Sequence, residues 1–400
     1  MARSFVEHDL TRSGVISAQW RAAAKSEPDG WANIRRVLPL CRNTGYLRGF
    51  LIAVQDLLGV QITEIDDSNW ESVSAAFADA NARSDWYKHV LRTCGNIDAV
   101  LWDQPPAEAA WPSMDRSLFI PLARFDWFAF IRLPDYRESI RRQCGDIPHT
   151  LSDVLDLMDR AVAERVQTGI GGIKIAAAYF RRLDFGEPSR SHASRVFATI
   201  TSDLTEADVG QYETFIFSEI AKRAATWDLT VQIHTGMLAV NRLLSRPENG
   251  VPLPLENFLA QHSDVRFVLL HGGFPHTRDV TSLVARYPNL YVDGSWLPLL
   301  SPSAYRRTLS EWLDVLPTDR ILAWGGDALR VEMSYGSLTL AKRVMADVLA
   351  ERVESKILDE SEAIAVAWKI LRENALSLFK INEVRNKRLQ HTMAGSASMS

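Results

Sequence analysis

From residue 95 onward, short runs of apolar, β-prone residues alternate with amphipathic stretches of helical period. The runs predict strands at 97–102, 117–124, 171–177, 231–236, 267–273, 290–294 and 321–327. Helices are expected near 151–167, 205–227, 255–262, 277–286 and 303–314, with Thr205-Glu206-Ala207-Asp208 opening the second. Strands separated by helices imply βα units and a parallel sheet. Residues 1 to about 90 carry helical period and little strand signal. There, 46–58 reads as a helix ending near Gly59, and Asp67-Ser68 caps another over 69–82. The expected fold is α/β, a TIM-type (β/α)8 barrel with a helical N-terminal region. Only seven strands are counted, so the first is absent from the pattern. The expected division is a helical region at 1–92 packed on the barrel, a barrel domain at 93–380, and a charged, disordered tail at 381–400. A Pro105-Pro106 break follows the first strand. Without their missing neighbour, the strands at 97–102 and 321–326 are expected to expose unpaired edges.

Composition narrows the class of molecule. Apolar residues make up 46% and charged residues 24% of the 400, enough to bury a large core. A formal charge of −4, with no basic stripe, gives no reason to expect nucleic acid. No apolar run approaches the ~20 residues that cross a membrane, and the N-terminal residues lack the apolar core of a signal peptide. The three cysteines, Cys41, Cys94 and Cys144, are odd in number and widely spaced, so neither a disulfide framework nor a zinc knuckle is expected. The default compartment is the reducing cytoplasm. Nucleotide-binding glycine loops and the serine-hydrolase elbow are both missing.

Chemistry gathers at the strand ends. His234 precedes Thr235-Gly236, His271 precedes Gly272-Gly273, and Asp327 follows Gly325-Gly326. In a barrel, side chains at the C-terminal ends of parallel strands converge on one mouth. Two histidines and an aspartate arriving in this way suit a divalent metal. His234 taken alone reads equally as a core histidine bonded to a carbonyl, and His271 shares its geometry. Asp327 follows the apolar run 321–324, where a buried carboxylate is costly without a partner. It can ligate metal, orient a water or act as a general base.

Other strand ends suit a ligand. Lys174 can hold a substrate carboxylate, carry a carbamate between two metals, or reach out from the strand end to solvent. Tyr179, Arg181 and Arg182 follow on the next loop, where an arginine suits an anion by bidentate pairing or is simply solvated. Arg124 and Asp126 close a strand in the same way, to contact substrate or to pair with each other. Asp293 and Trp296 can wall the pocket, although an aromatic there more often packs. His276 reads as a helix cap or a supporting residue. His8, His89, His149, His192, His262 and His391 read as surface or structural.

These motifs resemble the amidohydrolase superfamily, in particular proteins akin to uronate isomerases and the hydrolase-like half of fungal FluG-type proteins. The resemblance spans about 95–380 and rests on Gln232-Ile233-His234-Thr235-Gly236, Leu270-His271-Gly272-Gly273 and Trp324-Gly325-Gly326-Asp327-Ala328. Gly172-Ile173-Lys174, Ala178-Tyr179-Phe180-Arg181 and the closing run from Ile370 to Phe379 add to it. It implies that His234 ligates metal and that His271 ligates metal or steers the hydrolytic water. Asp327 would ligate metal and serve as base. One or two divalent ions are implied, zinc first, with manganese or iron as alternatives. Members mostly hydrolyse C–N or C–O bonds, while some isomerise, decarboxylate or oxidise. The family's first strand carries a His-x-His pair, and no such pair occurs in these 400 residues. Either that strand lies upstream of Met1 or two ligands have been lost.

The expected function is a metal-dependent hydrolase acting on a small carboxylate-bearing molecule through a metal-activated water. Asp327 and His271 would be catalytic, with Lys174, Arg182, Tyr179, Arg124 and Trp296 around the substrate. Two alternatives stand beside it. One is a catalytically impaired barrel serving as a scaffold or as partner to a paralogous subunit, and the other is a metal-dependent oxygenase on the same fold. A homo-oligomer is a further expectation.

Overall fold

The computed structural model describes residues 31–32, 34–103, 115–133, 135–199, 204–239 and 245–397. Residues 1–30, the Pro105-Pro106 break, His8 and residues 398–400 lie outside them. Seven strands lie in one sheet in sequence order: β1 (Val100–Asp103), β2 (Phe119–Arg124), β3 (Gly172–Ile175), β4 (Thr230–Ile233), β5 (Phe267–Leu269), β6 (Leu290–Asp293) and β7 (Ile321–Leu322). The pairs from β1 to β6 are parallel, in the registers Leu101↔Ile120, Ala123↔Ile173, Ile173↔Val231, Ile233↔Leu269 and Val268↔Tyr291. This is the expected α/β architecture, with seven of a (β/α)8 barrel's strands among the described residues. β1 and β7 are the two ends of that order. The helices that matter below are α1 (Gly45–Leu58), α2 (Trp70–Ala82), α3 (Leu151–Thr168), α4 (Glu206–Thr226), α5 (Thr277–Arg286), α6 (Pro302–Val315), α7 (Val331–Glu354) and α8 (Ile381–Ala397).

The chain divides into two compact units. One comprises 1–98, 238–243 and 293–371, and the other 99–237, 244–292 and 372–400. These limits differ from a division at residue 92. The second unit holds β1 to β5 and nearly all of β6. Its strands are apolar on both faces, as parallel strands covered by helices must be: Ile173, Ile175, Val231, Ile233, Phe267, Val268 and Leu269 are all buried. α3 starts at a capping box in which the Thr150 hydroxyl and the Asp153 carboxylate each take a backbone N–H. α4 starts at Thr205, whose hydroxyl accepts from the Asp208 N–H. α8 occupies the segment expected to be a disordered tail. Its Arg388 guanidinium donates to the Gly169 carbonyl, and Arg385 donates to that of Ser117.

In the first unit, α1 runs from a Thr44 cap to Gly59, whose φ of 68° supplies the left-handed terminus. α1 packs against α7 where Gly49 and Gly336 meet. A Cβ at Gly336 would lie 2.2 Å from the Gly49 carbonyl oxygen, so only glycine admits that approach. α2 is present, but Asp67 does not cap it. Asp67 instead accepts from the Trp31 indole, while Asp66 and Asn69 order the turn.

Two strands are shorter than expected for local reasons. β3 stops at Ile175 because the Ala176 N–H donates to Asp126 Oδ2 instead of to a neighbouring strand. β7 keeps only Ile321 and Leu322. Beyond them the Ala323 N–H donates to the Ile370 carbonyl, and Trp324-Gly325-Gly326 runs irregularly to Asp327.

Candidate functional site

In the second unit, register sets a row of polar side chains across the strand ends. Arg124 pairs with Lys174, and Lys174 with Gln232, so the three share one face of β2, β3 and β4. His234 lies two residues past Gln232, on that same face. Its N–H donates to the Ile175 carbonyl at 2.9 Å, carrying the ladder one residue beyond β4.

His271 reaches His234 by a different route. After β5 the backbone turns left-handed at His271 (φ 63°) and Gly272 (φ 55°), which re-aims the imidazole. A left-handed non-glycine residue costs about 1–2 kcal/mol and persists only where its surroundings hold it. Here the Thr235 hydroxyl donates to the Leu270 carbonyl at 2.7 Å, and the Phe274 N–H donates to the His271 carbonyl at 3.0 Å. Gly236 (φ 75°) fits beneath this turn, since a Cβ on it would lie 2.3 Å from the Gly273 carbonyl carbon.

The two imidazoles are buried, at 3% and 1% exposure, with His234 Nδ1 and His271 Nε2 3.2 Å apart. His234 Nε2 lies 3.0 Å from the Met237 carbonyl oxygen, which can only accept, so Nε2 carries the proton. His234 Nδ1 is then the acceptor and His271 Nε2 the donor. Burial holds the His234 pKa well below its ordinary value, and the nearby His271, Lys174 and Arg124 push the same way. His234 is therefore a neutral imidazole with its lone pair toward His271. The Tyr179 ring lies against it, 4.7 Å between centroids.

Arg124 and Asp126 pair with each other, one of the two outcomes expected of them. The Arg124 Nε and Nη2 donate to the two Asp126 oxygens at 3.2 and 2.8 Å, and Nη1 donates to Asp103 at 3.0 Å. Arg181 is turned to the buried Glu213, which Arg132 also contacts. Arg182 is the solvated arginine of the loop, 57% exposed and 3.8 Å from Asp184.

In the first unit, Trp296 is buried at φ 64°, and its indole N–H donates to the Tyr46 hydroxyl. The buried Asp293 accepts from the Ser295 N–H at 2.8 Å. Asp327 departs from expectation: it is exposed, at φ 40°, five residues past the end of β7. The desolvation argument that singled it out does not apply. His276 precedes α5 without a side-chain cap bond, its Nδ1 3.8 Å from Asp279.

Sequence reasoning passed over three groups. Asp103 closes β1 as Asp126 follows β2, a signal present in the run 97–102. Glu213 sits among Tyr212, Phe215 and Ile216 on one apolar stretch of α4, where a buried acid requires a cationic partner. The Met237 carbonyl has no signature in a side-chain pattern.

A family model described as Amidohydrolase matches residues 193–381. Protein fluG of Emericella nidulans is 32% identical over 160 residues, which are 38% of this chain and 18% of that protein. Over these segments the chain is similar to the amidohydrolase family. It thus covers less than a fifth of that curated relative. Uronate isomerase from Thermotoga maritima has the same fold, with a TM-score of 0.78 at 18% identity over 94% of this chain and 87% of its own. Glucuronate isomerase from Caulobacter crescentus gives 0.77 at 17% identity, over 95% and 86%. The matched family segment includes His234, His271 and Asp327, and leaves out Arg124, Lys174 and Tyr179.

Among the described residues, no three His, Cys, Asp or Glu side chains are grouped to hold a metal ion. The histidine pair nonetheless fits two corners of one. Two imidazole nitrogens at ~2.0–2.1 Å from a tetrahedral ion stand about 3.3 Å apart, against 3.2 Å here. A backbone carbonyl on the far N–H, as Met237 provides for His234, is also how ligating imidazoles are usually held. Among the described residues, no helix is long and apolar enough to cross a membrane.

Proposed function

We propose that this chain is a metal-dependent hydrolase of the amidohydrolase superfamily, acting on a small carboxylate-bearing molecule. The observation that carries this reading is the buried His234–His271 pair, with His234 held neutral, beside the row of Lys174 and Arg124. His234 Nδ1 and His271 Nε2 would hold a divalent ion, zinc first among the candidates, with His271 Nε2 giving up the proton it now donates to His234. Such an ion polarises a carbonyl and makes water a nucleophile near neutral pH.

The chain's own residues supply the rest. The Met237 carbonyl holds the His234 N–H and so presents its lone pair. Lys174, buried on β3, binds the substrate's carboxylate by charge. Tyr179 covers His234 and excludes water from that side.

The first test is metal content per chain of the purified 400-residue protein, beside His234→Ala, His271→Ala and Asp327→Ala. Near-stoichiometric metal in the wild type, lost in both histidine variants, is expected. An empty wild type after purification with added zinc, manganese or iron sinks the reading. The two-donor grouping favours one second reading, a metal-poor barrel that serves as a partner subunit. Folded wild type that stays empty and hydrolyses no carboxylate-bearing amide or ester would favour it.

A further inference from the structure

The Arg124 guanidinium is held by two carboxylates of very different character. Asp126 takes the Nε/Nη2 edge with both oxygens, and its Oδ2 also accepts from the Ala176 N–H at 3.0 Å. Its side chain is 3% exposed. Removing that partner would leave a charge buried without compensation, so it is a fixed part of the fold. Asp103 takes only Nη1, with its oxygens at 3.0 and 3.3 Å, and its side chain is 44% exposed. An ion pair on so exposed a carboxylate is weak and open to exchange.

We infer that Arg124 is a carboxylate-binding group whose outer position Asp103 occupies internally, and that a ligand carboxylate displaces Asp103 from Nη1 while Asp126 keeps the guanidinium in place. This rests on the reading of the site as one that takes a carboxylate-bearing ligand. The geometry supports the exchange in three ways. Arg124 stands in register with Lys174 on the next strand, so an incoming carboxylate meets two cations on one face. The Asp126 fork fixes the plane of the guanidinium, so the arriving anion need not order a flexible side chain. Asp103 is itself a carboxylate at hydrogen-bond distance, which shows that this position accepts that group in that orientation. Asp103 thereby sets a threshold: the apparent affinity for an anion falls by the fraction of time Nη1 is occupied.

The test is an NMR titration of the full chain with propionate, using propionamide as the uncharged control. Wild type, Asp103→Asn and the double variant Asp103→Asn/Arg124→Lys are compared, each first shown to unfold cooperatively on heating. Asp103→Asn is expected to bind propionate about fivefold more tightly than wild type, the range of a weak ion pair. The double variant, which keeps the charge but loses the fork, is expected to lose that gain. Propionamide is expected to respond to neither change. Equal propionate affinity in wild type and Asp103→Asn overturns the inference, as does a gain that survives Arg124→Lys. Absence of propionate binding in Asp103→Asn overturns it as well. The titration is repeated after chelator treatment, so a failed metal reading and a failed Arg124 reading separate. The fivefold gain persists without metal if Arg124 is the anchor. Binding that vanishes with the chelator and ignores Asp103 assigns the carboxylate to the metal instead.

Discussion

The ends of β4 and β5 and the segment after β7 treat their titratable side chains in opposite ways. His234 and His271 are buried, and hydrogen bonds fix both imidazoles and the backbone beneath them. Asp327 is exposed in an irregular stretch. The difference follows from the chemistry of the groups. An imidazole can shed its charge and enter the interior as a neutral donor and acceptor, and burial drives His234 that way. A carboxylate goes inside only where partners hold it: a cation, as for Asp126 with Arg124 and Glu213 with Arg181 and Arg132, or neutral donors, as for Glu332 with Asn81 and Trp86. Position at a strand end is therefore not enough to predict burial; the partner decides.

If the fixed imidazoles depend on their backbone seat, breaking that seat should have the largest effect. Gly236→Ala forces a Cβ against the backbone of Gly273 and Phe274 at 2.3–2.6 Å, from a residue at φ 75°. A loss of about 3 kcal/mol or more in urea unfolding is expected, together with loss of any metal. A cost under ~1 kcal/mol would mean that the turn at His271 adapts, and that the contrast with Asp327 is one of degree.

Trp296 tests the first unit in the same terms. Its indole N–H is bound by the fully buried Tyr46 hydroxyl. Trp296→Phe keeps most of the apolar surface and removes the indole's hydrogen bond to that hydroxyl, which should cost about 1.5 kcal/mol in the same assay. Adding Tyr46→Phe should recover part of it. No recovery would make packing, not the hydrogen bond, the reason for the tryptophan.

Much of this was legible in the order of residues. The α/β alternation follows from β-prone runs separated by amphipathic stretches, and α5 has the bounds its period predicts. His234 and His271 were legible as a pair because both stand where barrel strands end. Their joining was not, since it depends on a left-handed turn at His271 that no side-chain pattern encodes. β7 was overread: Ala323 and Trp324 are apolar enough for a strand, but the Ala323 N–H is taken by the distant Ile370. The tail was read as disordered from its composition, whereas α8 is anchored by Arg385 and Arg388 on carbonyls far away in sequence. Long-range backbone partners account for these misses.

A buried imidazole outside the rim shows how much burial does alone. His262 is buried, its Nε2 3.1 Å from the Ser218 hydroxyl, and burial lowers its pKa although Asp264 opposes the shift. The unfolded chain then binds a proton near pH 6.5 that the folded chain refuses, so stability is full above that pH and falls as the pH drops below it. One proton limits the slope to ~1.4 kcal/mol per pH unit. His262→Gln retains a partner for Ser218 and should flatten the fall between pH 7 and pH 5 in urea titrations. An unchanged slope would assign the acid sensitivity to other groups.

The smallest effect is expected at Asp327, and it is the most telling. An exposed residue at φ 40° gains from glycine's freedom in the left-handed region, while glycine also loosens the unfolded chain, so the two contributions oppose each other. Asp327→Gly should change the unfolding free energy by no more than about 0.5 kcal/mol. If metal retention falls in this variant while stability holds, the carboxylate serves a ligand and not the fold. A stability loss above ~1.5 kcal/mol would instead give Asp327 a structural partner, and the two strand-end regions would then differ less than their exposures imply.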